Sequence, residues 1–441
     1  MPPHNCALRL IDEESSVQFK GNLQRSVILI GVLIASLSLT TACSSKDSGA
    51  DKVLQVAYGS GGSDAQKTWD SIATAFTAEN PGWKVEFQVQ NDDLYETIGL
   101  KNLLTSGNPP DVYFEWAGAR LNNKNNDGFA ADITDLVKST GLADQFGDGA
   151  FNATSIDGKI RMVPYTADVT NVIWYNKDIF AKLGITPPTT WSEMLADCAK
   201  IKASGVTPFG IGNKDLWVAG NWFGHVDSRV AGDSVYDQIL SKNKPLNSPE
   251  FVKALQYVAD LHTAGYVNAS ANSISDNEGY TLFYQGKVAM LPIGSWIISS
   301  QIQDAPKLNM GWFNLPAIEG GAGDQKSIMA VTTGFIVNAK SKKQEKAVEF
   351  LKMAFSPTMV DAWIKSGTTP VAKASAAGSL DALSQSMIDL LNSGATVVAP
   401  PDTGYDLKMA DALNTATSEV LDGVKTPQQA LDDAEAKVSK S

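Results

Sequence analysis

Cysteine is close to missing from this chain. Cys6, Cys43 and Cys198 are the whole set in 441 residues, too few for the disulfide framework that small secreted domains need. A chain of this length can do without one, because two or three domains can each bury a full core. Cys198 shares helical spacing with Leu195 and Ala199 and reads as a small buried hydrophobe, with no His/Asn set to make it a nucleophile. Histidine is equally scarce. Beyond the N-terminal region only His225 and His262 remain, with no HExxH and no Cys/His metal spacing. No Walker motif or dinucleotide fingerprint is present, so no cofactor or metal is expected. Positive charge is also short: the net charge of −12 excludes a nucleic-acid binder and electrostatic attachment to anionic lipid.

Two near-motifs fail on inspection. Gly61-Gly62-Ser63-Asp64-Ala65 lacks the closing glycine of a nucleophile elbow, and the glycines read better as a turn before a capped helix. Residues 123–128, NKNNDG, put Asn123 where a calcium loop has aspartate, and Thr134 stands in place of the bidentate glutamate. A solvated Asn-rich loop is expected there.

Long apolar runs are absent except for one, at residues 26–43, preceded by Lys20 and Arg25 and ending in small residues before Cys43. That is the layout of a secretory leader, and the run is shorter than the roughly 20 residues of a comfortable span. Leu39-Thr40-Thr41-Ala42-Cys43 resembles the bacterial lipobox, with Thr40 where an aliphatic residue is usual. The expectation is a signal peptide over residues 1–42, a start site that could lie downstream of Met1, and lipidation at Cys43. The polar residues 43–51 then form a flexible tether.

The rest of the chain alternates strands and helices. Val53-Leu54-Gln55-Val56 reads as a strand, and Trp69, Ile72, Ala73 and Phe76 follow at helical spacing until Pro81-Gly82. Residues 84–89 and 112–114 are the next strands. The pattern restarts at residues 172–175. Thr190-Trp191-Ser192-Glu193 has the form of a capping box, and Ser248-Pro249 places a cap and a first-turn proline before Phe251, Leu255 and Val258. Residues 288–293 and 331–337 are further strands. This order predicts two α/β lobes, with loops at strand C-termini available to a ligand.

Those loops carry aromatics beside acids. Ten tryptophans are present. Glu115-Trp116 follows a strand, Asp215, Trp217 and Trp222 lie in a Gly-rich stretch, and Trp296 follows Gly294-Ser295 at a strand end. A pyranose has apolar C–H faces that lie on an indole and a hydroxyl rim that carboxylates and amides satisfy, so the combination points to a sugar.

Residues 163–191, VPYTADVTNVIWYNKDIFAKLGITPPTTW, resemble the extracellular sugar-binding proteins of ABC importers, the maltose/maltodextrin-binding group. Pro110-Asp111-Val112-Tyr113-Phe114, Gly286-Lys287-Val288-Ala289-Met290 with Gly294-Ser295-Trp296, and Lys346-Ala347-Val348-Glu349-Phe350-Leu351 match in the same order. The resemblance implies an α/β, two-lobed periplasmic-binding-protein-like fold, each lobe a sheet flanked by helices, joined by a multi-crossover hinge. It implies crossovers near residues 165–170, 315–318 and 356–358. The N-terminal lobe would be residues 52–166 plus 318–355, and the C-terminal lobe residues 169–316 plus 358–441.

By the same resemblance Asp168 binds sugar hydroxyls, Trp296 stacks on the sugar, and Tyr405 supplies a late aromatic contact. With Glu115, Trp116, Tyr165, Asp215, Trp217, Trp222 and Thr333 these are the expected substrate-binding residues. The expected partners are an oligosaccharide and the membrane-spanning permease subunits, with the chain itself monomeric, non-enzymatic and held at the membrane by its lipid. An exported glycoside hydrolase is the alternative, as is a binding protein of the same fold for a polyamine, iron or glycerol phosphate.

Overall fold

Val53–Gly59 (β1) is apolar almost throughout and buried over its five central residues, as a strand covered on both faces must be. The computed structural model describes residues 52–60, 63–91, 94–375 and 380–439. The leader, Cys43 and the tether therefore lie outside the described residues, as do Gly61 and Gly62. The other strands are β2 (Lys84–Gln90), β3 (Val112–Trp116), the short pair β4 (Ser155–Ile156) and β5 (Lys159–Ile160), then β6 (Val163–Thr170), β7 (Val172–Asn176) and β8 (Thr207–Phe209). They are followed by β9 (Val288–Ile293), β10 (Met310–Phe313), β11 (Ile328–Val337) and β12 (Val397–Val398).

Two main sheets result. The first runs β12-β11-β3-β1-β2, with β6 also paired to β11, and the second runs β10-β7-β9-β8. In the first, β1 is parallel to both β2 and β3 while β11 returns antiparallel to β3. Helices cover both sheets. Ser63–Glu79 buries Trp69, Ile72 and Phe76 against the first, where the Trp69 ring meets Trp363 at 4.9 Å and Phe335 at 5.1 Å. Cys198 is buried in the second core with Trp174, Phe180 and Phe251, as its helical spacing implies. Thr190 and Glu193 form the expected capping box, and the Ser248 hydroxyl caps the helix that Pro249 opens.

The lobes are joined by β6 and β11, which pair antiparallel from Thr170↔Met329 to Val163↔Phe335. Each strand changes core along its length. Val163 and Phe335 belong to the first core, Val169 and Met329 to the second. β6 thus passes from one core to the other between Val163 and Val169, and β11 between Met329 and Phe335. Leu315 and Ile318 pack in the second core, and the Leu315 and Pro316 carbonyls accept from Arg229, so the second crossing is β11 itself. The helix Pro357–Lys365 buries Val360 and Trp363 in the first core. Val371 then bonds to Tyr165 and Lys373 to Gln145, which keeps the chain on the first lobe to residue 373.

Residues 119–126 form a helix, Ala119–Asn126, in place of the expected Asn-rich loop. The stretch containing Trp217 and Trp222 is the helix Trp217–Ala231, buried from Val218 onward. Its glycines are there for close packing. A Cβ on Gly220 would lie 1.8 Å from Asn414 Oδ1, and one on Gly224 would lie 2.7 Å from Pro401 Cγ. Among the described residues no helix is long and apolar enough to cross a membrane.

Candidate functional site

Side chains two apart on a strand share a face, so Thr166 and Asp168 of β6 point the same way. Thr333 of β11 joins them at a register shift between Thr332 and Gly334. A Cβ on Gly334 would meet the Val163 carbonyl at 2.4 Å, so only glycine lets the strands approach this closely. The Thr166 hydroxyl donates to Asp168 Oδ2 at 2.5 Å and lies 2.7 Å from the Thr333 hydroxyl. A hydroxyl has one proton, so Thr333 donates to Thr166. From the second lobe, Ser295 donates its hydroxyl to Asp168 Oδ1 at 2.9 Å and its N–H to the Val169 carbonyl at 2.8 Å. Burial raises the Asp168 pKa against the opposing pull of the Thr166 and Ser295 hydrogen bonds. The hinge is therefore polar at its centre, and its carboxylate is held by hydroxyls on both sides.

Trp296 follows Ser295 directly and is half-buried. Its indole N–H donates to the Tyr280 hydroxyl at 2.9 Å, and Tyr280 donates to Asp276 Oδ2 at 2.8 Å. Trp217, first residue of its helix, sets its ring 5.9 Å from that of Trp296 at 54°. Two partly exposed indoles thus form a corner beside Asp168. Asp215 is exposed in the turn before Trp217, and burial raises the Asp276 pKa.

The first lobe contributes the loop after β3. Trp116 pairs with Thr333 across the sheet and is half-buried, with the Arg120 guanidinium 5.1 Å from its ring centre. Arg120 Nε donates to the Asp402 carbonyl at 3.1 Å. Gly118, with φ of 83°, lies so close that a Cβ would meet the Thr403 carbonyl at 2.8 Å. Asp402 and Thr403 sit on the second lobe, where the Asn221 amide donates to Asp402 Oδ2 at 3.1 Å. The lobes therefore touch directly here.

The expected residues divide accordingly. Trp116, Asp168, Trp217, Trp296 and Thr333 gather where the strands cross, with Asp215 at the edge of the aromatic corner. Four others are engaged within their own lobes. Trp222 is 1% exposed and packs 5.2 Å from Phe209, because its place on a helix turns it into the second core. Tyr165 faces Phe335, Phe355 and Trp363, a first-core position. Glu115 is buried, ion-paired with Lys124 at 3.2 Å and bonded to the Trp116 N–H. Tyr405 donates to Asp237 and packs against Tyr236. Sequence reasoning missed Thr166, Ser295, Tyr280, Asp276 and Arg120. The one local signal among them is the four-residue helical spacing of Asp276 and Tyr280. No cluster of three or more His, Cys, Asp or Glu side chains fit for a metal occurs among the described residues.

Two α/β lobes joined by paired crossing strands, with polar and aromatic groups at the crossing, define the architecture of a two-lobed solute-binding protein. Residues 60–361 match the model of the bacterial extracellular solute-binding proteins, and the chain belongs to that family, the extracellular solute-binding components of ABC transporters. It is 26% identical to the multiple sugar-binding protein of Streptococcus mutans over 361 residues, 78% of this chain and 80% of that protein. It is 29% identical to the sn-glycerol-3-phosphate-binding periplasmic protein of Yersinia enterocolitica over 302 residues, 63% of this chain and 66% of the other. A solved chitin oligosaccharide binding protein superposes with a TM-score of 0.79 at 25% identity, covering 88% of this chain and 98% of that one.

Proposed function

We propose that this protein captures an oligosaccharide between its lobes and presents the closed complex to a membrane permease, without breaking a bond. The observation that carries the reading is the hydrogen-bonded chain Thr333–Thr166–Asp168–Ser295 beside the Trp217–Trp296 corner. Apolar sugar faces pack on the indoles, and sugar hydroxyls compete for Asp168, where a charged acceptor contributes about 1.5–3 kcal/mol per bond against about 1 for a neutral one. Ligand contacts made from both lobes favour the state in which they meet, so binding raises the closed population. A micromolar site needs about 8 kcal/mol net, which a few such bonds and stacks supply after the cost of ordering.

Glycerol phosphate, the ligand named for the Yersinia relative, fits this site less well. The acids Asp168, Asp215 and Asp276 flank the corner, while Lys124 is committed to Glu115 and Arg120 to the Asp402 carbonyl, leaving Lys214 beside Asp215 as the one exposed cation among these residues. An anion brought here would meet carboxylates first. Lipid anchoring through Cys43, a location at the outer face of the membrane and a monomeric state complete the proposal, with the N-terminal lobe ending near residue 375. A thermal-shift panel of malto-, cello-, xylo-, chito- and raffinose-type oligosaccharides with glycerol phosphate tests the ligand class. Stabilisation by glycerol phosphate alone overturns the sugar reading, and release of reducing ends during incubation overturns the non-enzymatic one.

A further inference from the structure

The stacking surface of Trp296 is held from behind by groups that themselves sit off the crossing. Gly294 removes the first obstacle: a Cβ there would lie 2.0 Å from Trp296 Cζ3, so the indole folds back over bare backbone. Its N–H then reaches the Tyr280 hydroxyl. An indole nitrogen can only donate, so the Tyr280 oxygen must accept at that contact, and its single proton goes to Asp276 Oδ2. Asp276 is fixed in turn, since its other oxygen accepts the Asn277 N–H at 2.6 Å and the Asn277 amide at 3.2 Å. The helix that carries both residues, Asp276–Tyr284, starts with a closed capping box between Ser275 and Glu278. Every bond in the series has one permitted direction, and it ends on a capped helix.

We infer that Tyr280 and Asp276 are positioning residues that set the angle of the Trp296 indole and thereby the tightness and selectivity of stacking on a pyranose. Tyr280 is 4% exposed, so it acts through Trp296 and does not reach the ligand. An indole free to rock about its side-chain torsions loses contact with a flat sugar face and pays ordering entropy each time it binds. Locking it beforehand moves that cost into folding. The Trp217 ring, 5.9 Å away at 54°, packs against the same indole and limits that motion further.

The inference rests on the sugar-binding reading, and the test separates the two. The wild-type protein, Tyr280→Phe, Asp276→Asn and Asp276→Leu are made with 5-fluorotryptophan, and the Trp296 resonance is assigned as the one lost in Trp296→Phe. Each is titrated calorimetrically with maltotriose, cellotriose, xylotriose and chitotriose. Tyr280→Phe, which keeps the ring and loses the hydroxyl, is expected to shift or broaden the Trp296 signal in the unliganded protein and to weaken binding of the preferred trisaccharide about tenfold. Asp276→Asn keeps one acceptor oxygen for the two places that Asp276 serves, so it should fall between wild type and Tyr280→Phe, whereas Asp276→Leu should match Tyr280→Phe. An unchanged Trp296 resonance in Tyr280→Phe overturns the positioning role whatever the ligand proves to be. A lower melting temperature with unchanged affinity returns the pair to plain stabilisers of the lobe. A wild-type protein that binds none of the four sugars overturns the sugar reading, while the resonance still decides whether Tyr280 orders the indole.

Discussion

Arg120 Nε, on the first lobe, donates to the carbonyl oxygen of Asp402, on the second, across 3.1 Å. The contact exists only while the lobes are together, and it brings Gly118 against Thr403. A hydrogen bond from a charged donor contributes about 1.5–3 kcal/mol, so it biases the balance of open and closed forms before any ligand arrives.

Arg120→Ala should therefore populate the open form. The expected outcome is a larger radius of gyration by small-angle scattering without ligand, and affinity weakened roughly ten- to 150-fold by calorimetry. Weakened affinity with unchanged scattering would mean that Arg120 acts on the ligand and not on closure.

Trp296 and Trp222 make a paired test of surface against core. Trp222→Ala empties a fully enclosed position and should cost about 3–5 kcal/mol of stability, seen as a lower urea midpoint. Trp296→Ala should weaken oligosaccharide binding at least about tenfold, in line with the loss of a stacked ring and its ordered hydrogen bond. Its urea midpoint should fall much less, because the ring is half-exposed. Equal losses of stability would place both tryptophans in the core.

How far the sequence reaches depends on whether a signal is local. The Thr190–Glu193 capping box and the cap at Ser248 need only a few residues, and both form as expected. Asp168 and Trp296, which the family resemblance singles out, are linked through Ser295, whose hydroxyl donates to Asp168 and which directly precedes Trp296. Their partners carry no such mark: Ser295 reaches Asp168 over 127 positions, and Thr333 reaches Thr166 over 167. Gly220 and Gly224 misled in the other direction. Glycine often marks a loop, but here it admits a neighbouring helix, and so Trp222 sits inside. Residues 356–358 were offered as a crossover by the resemblance alone, with no local mark of their own, and Val360 and Trp363 just beyond them pack in the first core.

His225 ties stability to pH. The ring is fully buried against the Ser327 carbonyl, and burial, with Arg229 adding to it, lowers its pKa to about 3. The folded state holds it neutral while the unfolded chain takes up a proton below about 6.5. The unfolded state thus binds more protons between those values, and stability falls as pH drops through that window. By pH 4 the loss is on the order of 3 kcal/mol. The raised carboxyls of Asp168, Asp276 and Asp402 act in the opposite sense, since the folded state holds their protons more tightly. Comparing His225→Gln with wild type isolates the histidine. Urea midpoints from pH 7 to pH 4 should fall less steeply in the variant, and parallel profiles would show that His225 does not set the acid limit.

Gly224→Ala sets helix propensity against packing. Alanine is favoured over glycine inside a helix by about 1 kcal/mol, yet the new Cβ would meet Pro401 Cγ at 2.7 Å, Pro401 Cδ at 2.9 Å and the Tyr236 hydroxyl at 3.0 Å. A proline ring cannot rotate away, so the turn Pro401–Gly404 must move. Overpacking of this kind costs about 1–3 kcal/mol, enough to outweigh the propensity gain. Because Asp402 moves with Pro401, its bonds to Asn221 and Arg120 lengthen together. Gly224→Ala should therefore lower the urea midpoint and weaken ligand binding in the same variant. Gly107, where a Cβ meets nothing within 4 Å, provides the control, and Gly107→Ala should stay within about 0.5 kcal/mol of wild type. A stabilised Gly224→Ala with unaltered affinity would mean that the turn yields freely, and the contact between the lobes at Asp402 would then not depend on this helix.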